Sequence, residues 1–393
     1  MPRSLLDRSG RKFDSARQFV PRMSKSSELL SSCQVVRPVG YQLQIANSFR
    51  SPTAALIDMD QADHDQQLIT LQAAAEAAIE TYELPSGSTA VLVNLSENAT
   101  YRIDDPSTGH CWALRIHRLG YHSRDAIASE LAWLTALRND GAVITPRPLK
   151  GRNGELVQVV SVPMMAQARH AVLFDWESGI EPTENDPAVF EILGETTARM
   201  HAHARTWRRP RWFVRHTWDF ETSLGSRPHW GSWRDGIGVT PEKGRLLTRT
   251  VECIRQRLER FGKGPNRFGL IHCDMRLANL LLDGLKIKVI DFDDCGFSWL
   301  LYDCATAVSF FEHKAEVPAL LDAWARGYRR WLELAPDDEL EIPTFVMLRR
   351  LLLVAWIGSH AETDLAKSMG EQYTDDTMPL CDRYLSSNGR AVA

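Results

Sequence analysis

Apolar residues recur at spacings of three and four between positions 66 and 82, at Leu68, Leu71, Ala75, Ala78, Ile79 and Tyr82. That period predicts a helix with one buried face, closed by Pro85 and Gly87. The pattern then shortens to that of strands. Residues 90–95 and 101–104 flank the polar stretch Ser96-Glu97-Asn98-Ala99-Thr100, and 112–117 reads as a third strand after a turn at 106–109. A helix follows over 123–138, with Ile127, Leu131, Leu134 and Leu137 on its apolar face. Asn153-Gly154 marks a hairpin between 147–150 and 156–162. Beyond Trp176 helical periods dominate, at 187–204, 241–262, 301–313, 315–333 and 341–362, interrupted by a compact hairpin at 280–290. These elements predict an α+β chain of two lobes, a small antiparallel sheet followed by a larger, mostly helical part. The expected boundaries are 59–175 for the first lobe, 176–370 for the second, and 371–393 for a C-terminal tail.

Composition narrows the class. The chain has 393 residues, of which 44% are apolar, enough for a sizeable core. The first fifty residues differ: nine Lys and Arg against three acids, frequent Ser and weak periodicity. Residues 1–58 therefore read as a disordered basic extension. A net charge of −4 provides no general attraction to nucleic acid or to an anionic membrane. No apolar run approaches the roughly 20 residues that span a bilayer. Seven scattered cysteines without a C-x-x-C pair suit neither a disulfide framework nor a zinc cluster. The expectation is a cytoplasmic protein with no nucleic-acid or membrane partner. Oligomeric state is not legible.

The chemistry concentrates in residues 271–293. An apolar approach delivers His272, Asp274 and Asn279 on a loop. The hairpin that follows turns at Asp283-Gly284 and returns Asp291 and Asp293 close to Asn279. Asn279, Asp291 and Asp293 are hard oxygen donors of the kind Mg2+ takes together with phosphate oxygens. Asp274 lies beside them, free to orient or accept a hydroxyl proton. Phosphoryl transfer uses this combination: metal on the phosphates, carboxylate on the nucleophile.

The loop His272-Cys273-Asp274-Met275-Arg276-Leu277-Ala278-Asn279, with Ile290-Asp291-Phe292-Asp293-Asp294 and Tyr302-Asp303-Cys304-Ala305 after it, resembles the aminoglycoside phosphotransferase and choline-kinase-like family of the protein-kinase-like fold. Within it the chain resembles the branch of homoserine kinase and stress-response kinase A. Cys273 stands where the family has Gly. The resemblance covers about residues 66–365 and implies a kinase using ATP and Mg2+. In that reading Asp274 is the catalytic base, Asn279 and Asp291 hold metal, His272 braces the loop and Asp303 anchors it. Arg115 stands where the family has Lys as its nucleotide cation, and Glu130 is its expected helical partner. Ser96 and Asn98 belong to the nucleotide-covering loop, and Asp175 to the hinge beside the adenine. A planar, bidentate Arg is not equivalent to Lys at such a position.

Other residues carry weaker signals. His201 and His203 are two apart on a helix and do not share a face, so packing or support of the loop is favoured over metal. Arg276 can meet phosphate or an anionic substrate. Trp207, Trp212, Trp218, Trp230 and Trp233 either wall the substrate or simply pack. Trp356, His360 and Glu362 are candidates for substrate contact. The expected activity is phosphoryl transfer to a hydroxyl of a small molecule: an amino acid, amino alcohol, sugar or aminoglycoside-like acceptor. A Ser/Thr protein kinase and a pseudokinase binding module are the alternatives.

Overall fold

The computed structural model describes residues 52–392, with side chains from His64 onward. The basic extension expected over 1–58 lies, up to residue 51, outside the described residues. From Pro52 the backbone is already helical.

Helix α1 (Pro52–Ile79) precedes a six-stranded antiparallel sheet of β1 (Thr89–Leu95), β2 (Ala99–Asp104), β3 (Cys111–Ile116), β4 (Pro148–Leu149), β5 (Gln158–Val160) and β6 (Arg169–Asp175). Helix α2 (Arg124–Asn139) follows β3 and is capped by the Ser123 side chain. The strand order is β1-β2-β3-β6-β4, with β5 also on β6. The expected hairpin of 147–150 with 156–162 is therefore not formed: both segments pair with β6 instead of each other. β6 itself lies in a stretch to which the periodicity assigns no strand. Strand alternation explains its place. Ala171 and Leu173 join the core under α1, whereas Val172 and Phe174 join the core that contains α2 and the second lobe. A strand buried on both faces lacks the polar-apolar alternation that would have flagged it.

The second lobe contains α3 (Pro187–Thr206), α4 (Phe220–Ser223), α5 (Pro241–Phe261), β7 (Phe268–Ile271), β8 (Leu280–Asp283), β9 (Lys286–Val289) and β10 (Gly296–Trp299). Helices α6 (Leu300–Thr306), α7 (Val317–Tyr328), α8 (Pro336–Glu339), α9 (Ile342–Ser359) and α10 (Asp364–Ser386) complete it. The helix expected over 301–313 stops at Thr306, and Phe310 beyond it adopts a positive φ of 76°. The segment 371–386, expected within a tail, is helical and buries Tyr373, Leu380, Cys381 and Tyr384. In the β8–β9 hairpin Asp283 pairs with Lys286, so Gly284 is the first central residue of the turn, with φ of 62°. Glycine there suits a tight hairpin turn.

Two glycines set the closest helix packing. A Cβ on Gly194 of α3 would lie 1.9 Å from the Trp324 carbonyl oxygen, and one on Gly327 of α7 would lie 1.8 Å from that of Glu191. The two backbones can touch only because both side chains are hydrogen. That contact brings His201 of α3 to Tyr328 of α7, a pair used below. Helix α9 is buried on nearly every side, from Ile342 to Ile357. Among the described residues no helix is long and apolar enough to cross a membrane.

Candidate active site

The catalytic loop is anchored from beneath. Asp303, fully buried at the start of α6, accepts the backbone N–H groups of His272 (3.1 Å) and Cys273 (2.7 Å). His201 Nε2 donates to the same carboxylate at 3.0 Å, and the Tyr328 hydroxyl meets His201 Nδ1 at 3.0 Å. Thr306 Oγ1 accepts from the Met275 N–H at 2.8 Å. These bonds hold a backbone conformation that L-residues avoid: Cys273 has φ of 68°. The family's glycine at this position is thus explained by geometry, and here a cysteine occupies it against a strain of about 1–3 kcal/mol. Asp291, at the end of the hairpin, is similarly left-handed, with φ of 57°.

His272 joins the loop to the hairpin. Its Nε2 donates to the Ile290 carbonyl (3.1 Å), its Nδ1 accepts the Asp274 N–H (3.2 Å), and its ring meets Phe292 edge-on at 4.5 Å. Trp133 of α2 also meets Phe292, with ring centroids 5.5 Å apart, so that helix and the hairpin share one packing centre.

Asp274 is buried and held on both oxygens. Arg349 of α9 donates to Oδ1 at 2.5 Å, Asn279 Nδ2 donates to Oδ2 at 2.7 Å, and Arg276 Nε lies 3.2 Å from Oδ2. Burial alone would raise this carboxyl, but Arg349, with Arg276 and His272, outweighs it and keeps the group below the usual carboxylate range. Arg349 is itself fixed by Ser309 (2.9 Å) and Tyr302 (3.3 Å), with the Trp230 ring 5.4 Å from its guanidinium.

On the sheet side, Arg115 of β3 is buried and forms a 2.5 Å pair with Glu130 of α2. Its other terminus is 3.4 Å from Asp291 and 3.9 Å from Asp293, and Phe174 lies beneath it. Desolvation works against its charge, and the three carboxylates restore it. Asp293 accepts Asn98 Nδ2 at 2.9 Å and faces His117 (3.6 Å) and His122 (3.8 Å). Burial works against its charge, but Arg115, foremost among its neighbours, outweighs that and holds it well below the ordinary value. Both ends of the Asn98 amide are committed, since its Oδ1 accepts the Arg118 N–H at 3.0 Å. Asn98 thereby ties its loop to the hairpin.

One cleft is lined by Ser96, Asn98, Arg115, Asp274, Asp291 and Asp293 together with Asn94, Glu97, Thr100, Arg276 and Asp294. Ser96 is exposed at the loop tip. Glu130 stands behind Arg115 and Asn279 behind Asp274. Asp175 is not among the lining residues: its carboxylate pairs with Arg147 at 2.6 Å at the end of β6. The donor chemistry fits a hard divalent cation. The Asp291 side chain is 46% exposed, and the Asn279 amide nitrogen is bonded to Asp274, which leaves the amide oxygen as its free donor atom. Among the described residues no three His, Cys, Asp or Glu groups form a metal cluster.

Three contributors were not singled out from sequence. Arg349 is one. Its signal was present, two adjacent arginines inside the apolar run of α9, because a buried guanidinium requires a partner. Its neighbour Arg350 meets the same requirement with buried Glu312 at 2.8 Å. Glu97 is another: the loop-tip carboxylate accepts Trp356 Nε1 at 2.9 Å and lies 3.4 Å from His360 and 3.7 Å from Arg118. Trp356 and His360, read as acceptor contacts, here reach across the cleft to that loop. The third is Asp294, 6% exposed, whose Oδ1 accepts the Tyr121 hydroxyl at 2.5 Å. Burial pushes this carboxyl well up, and Glu97, Asp274 and Asp293 push it further.

The profile of the phosphotransferase enzyme family (APH) matches residues 90–337, well over half the chain. The amicoumacin kinase of Bacillus subtilis (strain 168) is 26% identical over 274 residues, covering 66% of this chain and 77% of that protein. The solved structure of a microcompartment-associated aminopropanol kinase is 43% identical, with a TM-score of 0.75 over 81% of this chain and 99% of the other. The amicoumacin kinase hAmiN, solved with AMP-PNP, Ca2+ and Ami, shares the fold at 20% identity and a TM-score of 0.65, covering 85% of this chain and 96% of that one. The match across both lobes shows that this chain belongs to the phosphotransferase enzyme family.

Proposed function

We propose that the enzyme transfers the γ-phosphoryl group of ATP to the hydroxyl of a small amino alcohol, with Asp274 positioning that hydroxyl. The observation that carries the acceptor class is the 43% identity to the aminopropanol kinase over nearly the whole of that chain. Support for the residue roles comes from the cleft, where one carboxylate held by arginines adjoins oxygen donors suited to metal.

Asp274 stays ionised through Arg349 and is therefore a weak base. That suits a loose phosphoryl-transfer transition state, in which the hydroxyl needs alignment first and gives up its proton late. Asn279 and Asp291 hold Mg2+, which supplies charge neutralisation on the phosphates. Arg115, braced by Glu130, places a fixed cation under the covering loop. Asp293, engaged with Asn98, Arg115, His117 and His122, keeps those groups in order in place of the metal-ligand role read from sequence. Arg276 faces the same cleft and adds positive charge on the acceptor side.

The test is phosphoryl transfer from Mg-ATP to a panel of amino alcohols, aminoglycosides, amino acids and proteins, read by mass spectrometry, with Asp274→Asn as control. Amino alcohols are expected to have the highest kcat/KM, and the variant is expected to lose about a thousandfold in kcat. A protein or an aminoglycoside turned over with higher kcat/KM than every amino alcohol would reject the acceptor class.

A further inference from the structure

The cleft carboxylates differ in how their charge is met. Asp274 has Arg349 and Arg276, Asp291 has Arg115, Asp293 has Arg115 with His117 and His122, and Glu97 has Arg118 and His360. Asp294 is the exception among the described residues. It is 6% exposed, yet no Lys, Arg or His nitrogen pairs with it, and its one hydrogen bond is from the neutral Tyr121 hydroxyl. Its second carboxylate oxygen bonds nothing, and the residue lines the same cleft as Asp274. Its backbone is pinned, because Trp218 Nε1 donates to the Asp294 carbonyl at 2.9 Å. Its free oxygen is therefore a fixed acceptor at the cleft that the protein itself leaves without a partner.

We propose that Asp294 is the ammonium anchor of the acceptor site and so the residue that selects amino alcohols over neutral alcohols. The inference rests on the amino-alcohol reading above and assigns its specificity to one side chain. The primary ammonium of the acceptor donates to the free oxygen of Asp294 while its hydroxyl reaches Asp274, and no covalent change occurs at Asp294. Tyr121 fixes the carboxylate from the other oxygen. Its ring packs against His122 and His216, with centroids 4.3 Å and 5.3 Å away, and the Arg118 guanidinium lies 3.6 Å from its centroid. Burial lowers His122 to about 3 and His216 to about 4, so neither supplies a positive charge near neutral pH. An ammonium donates a charge-assisted hydrogen bond to that oxygen, and an uncharged analogue cannot match it.

The experiment compares aminopropanol with propanediol, in which a hydroxyl replaces the ammonium, as acceptors for the wild type and for Asp294→Asn. ATP affinity, measured by calorimetry, reports that each variant is folded. The wild type is expected to favour aminopropanol, and Asp294→Asn to raise its KM for that acceptor by about 30-fold or more, with little change toward propanediol. Asp294→Glu, which keeps the charge, is expected to recover part of the preference. If Asp294→Asn does not bind ATP, Tyr121→Phe replaces it and must raise the aminopropanol KM alone. A wild type that favours aminopropanol and a variant that keeps the same preference would overturn the role of Asp294 and leave the amino-alcohol reading standing. A wild type with no preference for the amine would overturn both.

Discussion

The two sides of the cleft balance charge in opposite ways. On the sheet side one cation, Arg115, is shared by Glu130, Asp291 and Asp293. On the helical side one carboxylate, Asp274, is shared by Arg349 and Arg276. The first arrangement is short of positive charge and suits the arrival of a divalent cation with the nucleotide. The second is short of negative charge around the nucleophile and suits a phosphoryl group that approaches with its own. Buried ion pairs seldom add much net stability, but breaking one leaves an uncompensated charge. The asymmetry therefore reports what each side is built to receive.

Removing Arg115 should have the largest effect. Arg115→Ala strands Glu130, which is fully buried, and should cost about 3–5 kcal/mol in chemical denaturation, together with a large loss of ATP affinity. Arg115→Lys keeps the charge and should lose far less. Equal losses for Ala and Lys would mean that the planar fork, not the charge, is what the sheet side needs.

On the helical side the expected loss is kinetic. Arg349→Lys should lower kcat about tenfold while ATP affinity stays within about twofold, since Arg349 touches Asp274 and nothing on the sheet side. A change confined to ATP affinity would erase the distinction between the two sides.

The loop residues 272–279 and the hairpin after them were legible because their chemistry is local: a loop and a tight turn bring Asp274, Asn279 and Asp291 together within a short stretch. The Arg115–Glu130 pair was legible for a similar reason, from a strand and the helix that follows it. Arg349 was not, nor was the pairing of Trp356 with Glu97, because α9 is buried all round and its apolar spacing reads as core whatever its polar residues do. Asp294 read as one more acid in an acidic run. What separates it from Asp293 is the set of partners folded around each, and those of Asp293 come from positions as distant as Arg115, His117 and His122. The pairing of β4 and β5 with β6 was hidden because a strand buried on both faces shows no alternation.

A smaller effect concerns acid stability. His122 and His216 are depressed by burial to about 3 and about 4, while in the unfolded chain they titrate near about 6.5. The unfolded state therefore binds more protons between those values. Stability from these groups is complete above about 6.5 and is lost as the pH falls toward 4. The melting temperature of the wild type should drop over that interval by several degrees more than that of His216→Gln. Parallel curves would show that the histidine under the cleft is not kept neutral by the fold.

The smallest effect is expected at the contact that crosses the cleft. Trp356→Phe removes one hydrogen bond to Glu97, worth about 0.5–1.5 kcal/mol. It should speed loop opening, measured by ADP dissociation in stopped flow, without slowing the chemical step in single turnover.

That same bond has a kinetic corollary. Glu97 rides on the loop over the nucleotide, but its hydrogen-bond donor, Trp356, belongs to the helix that supplies Arg349 to the acceptor side. One hydrogen bond thus links the loop of Ser96, Glu97 and Asn98 to the helix that holds Asp274 through Arg349. If product release limits turnover, as it does in many enzymes with closing loops, Trp356→Phe is expected to raise kcat and not lower it.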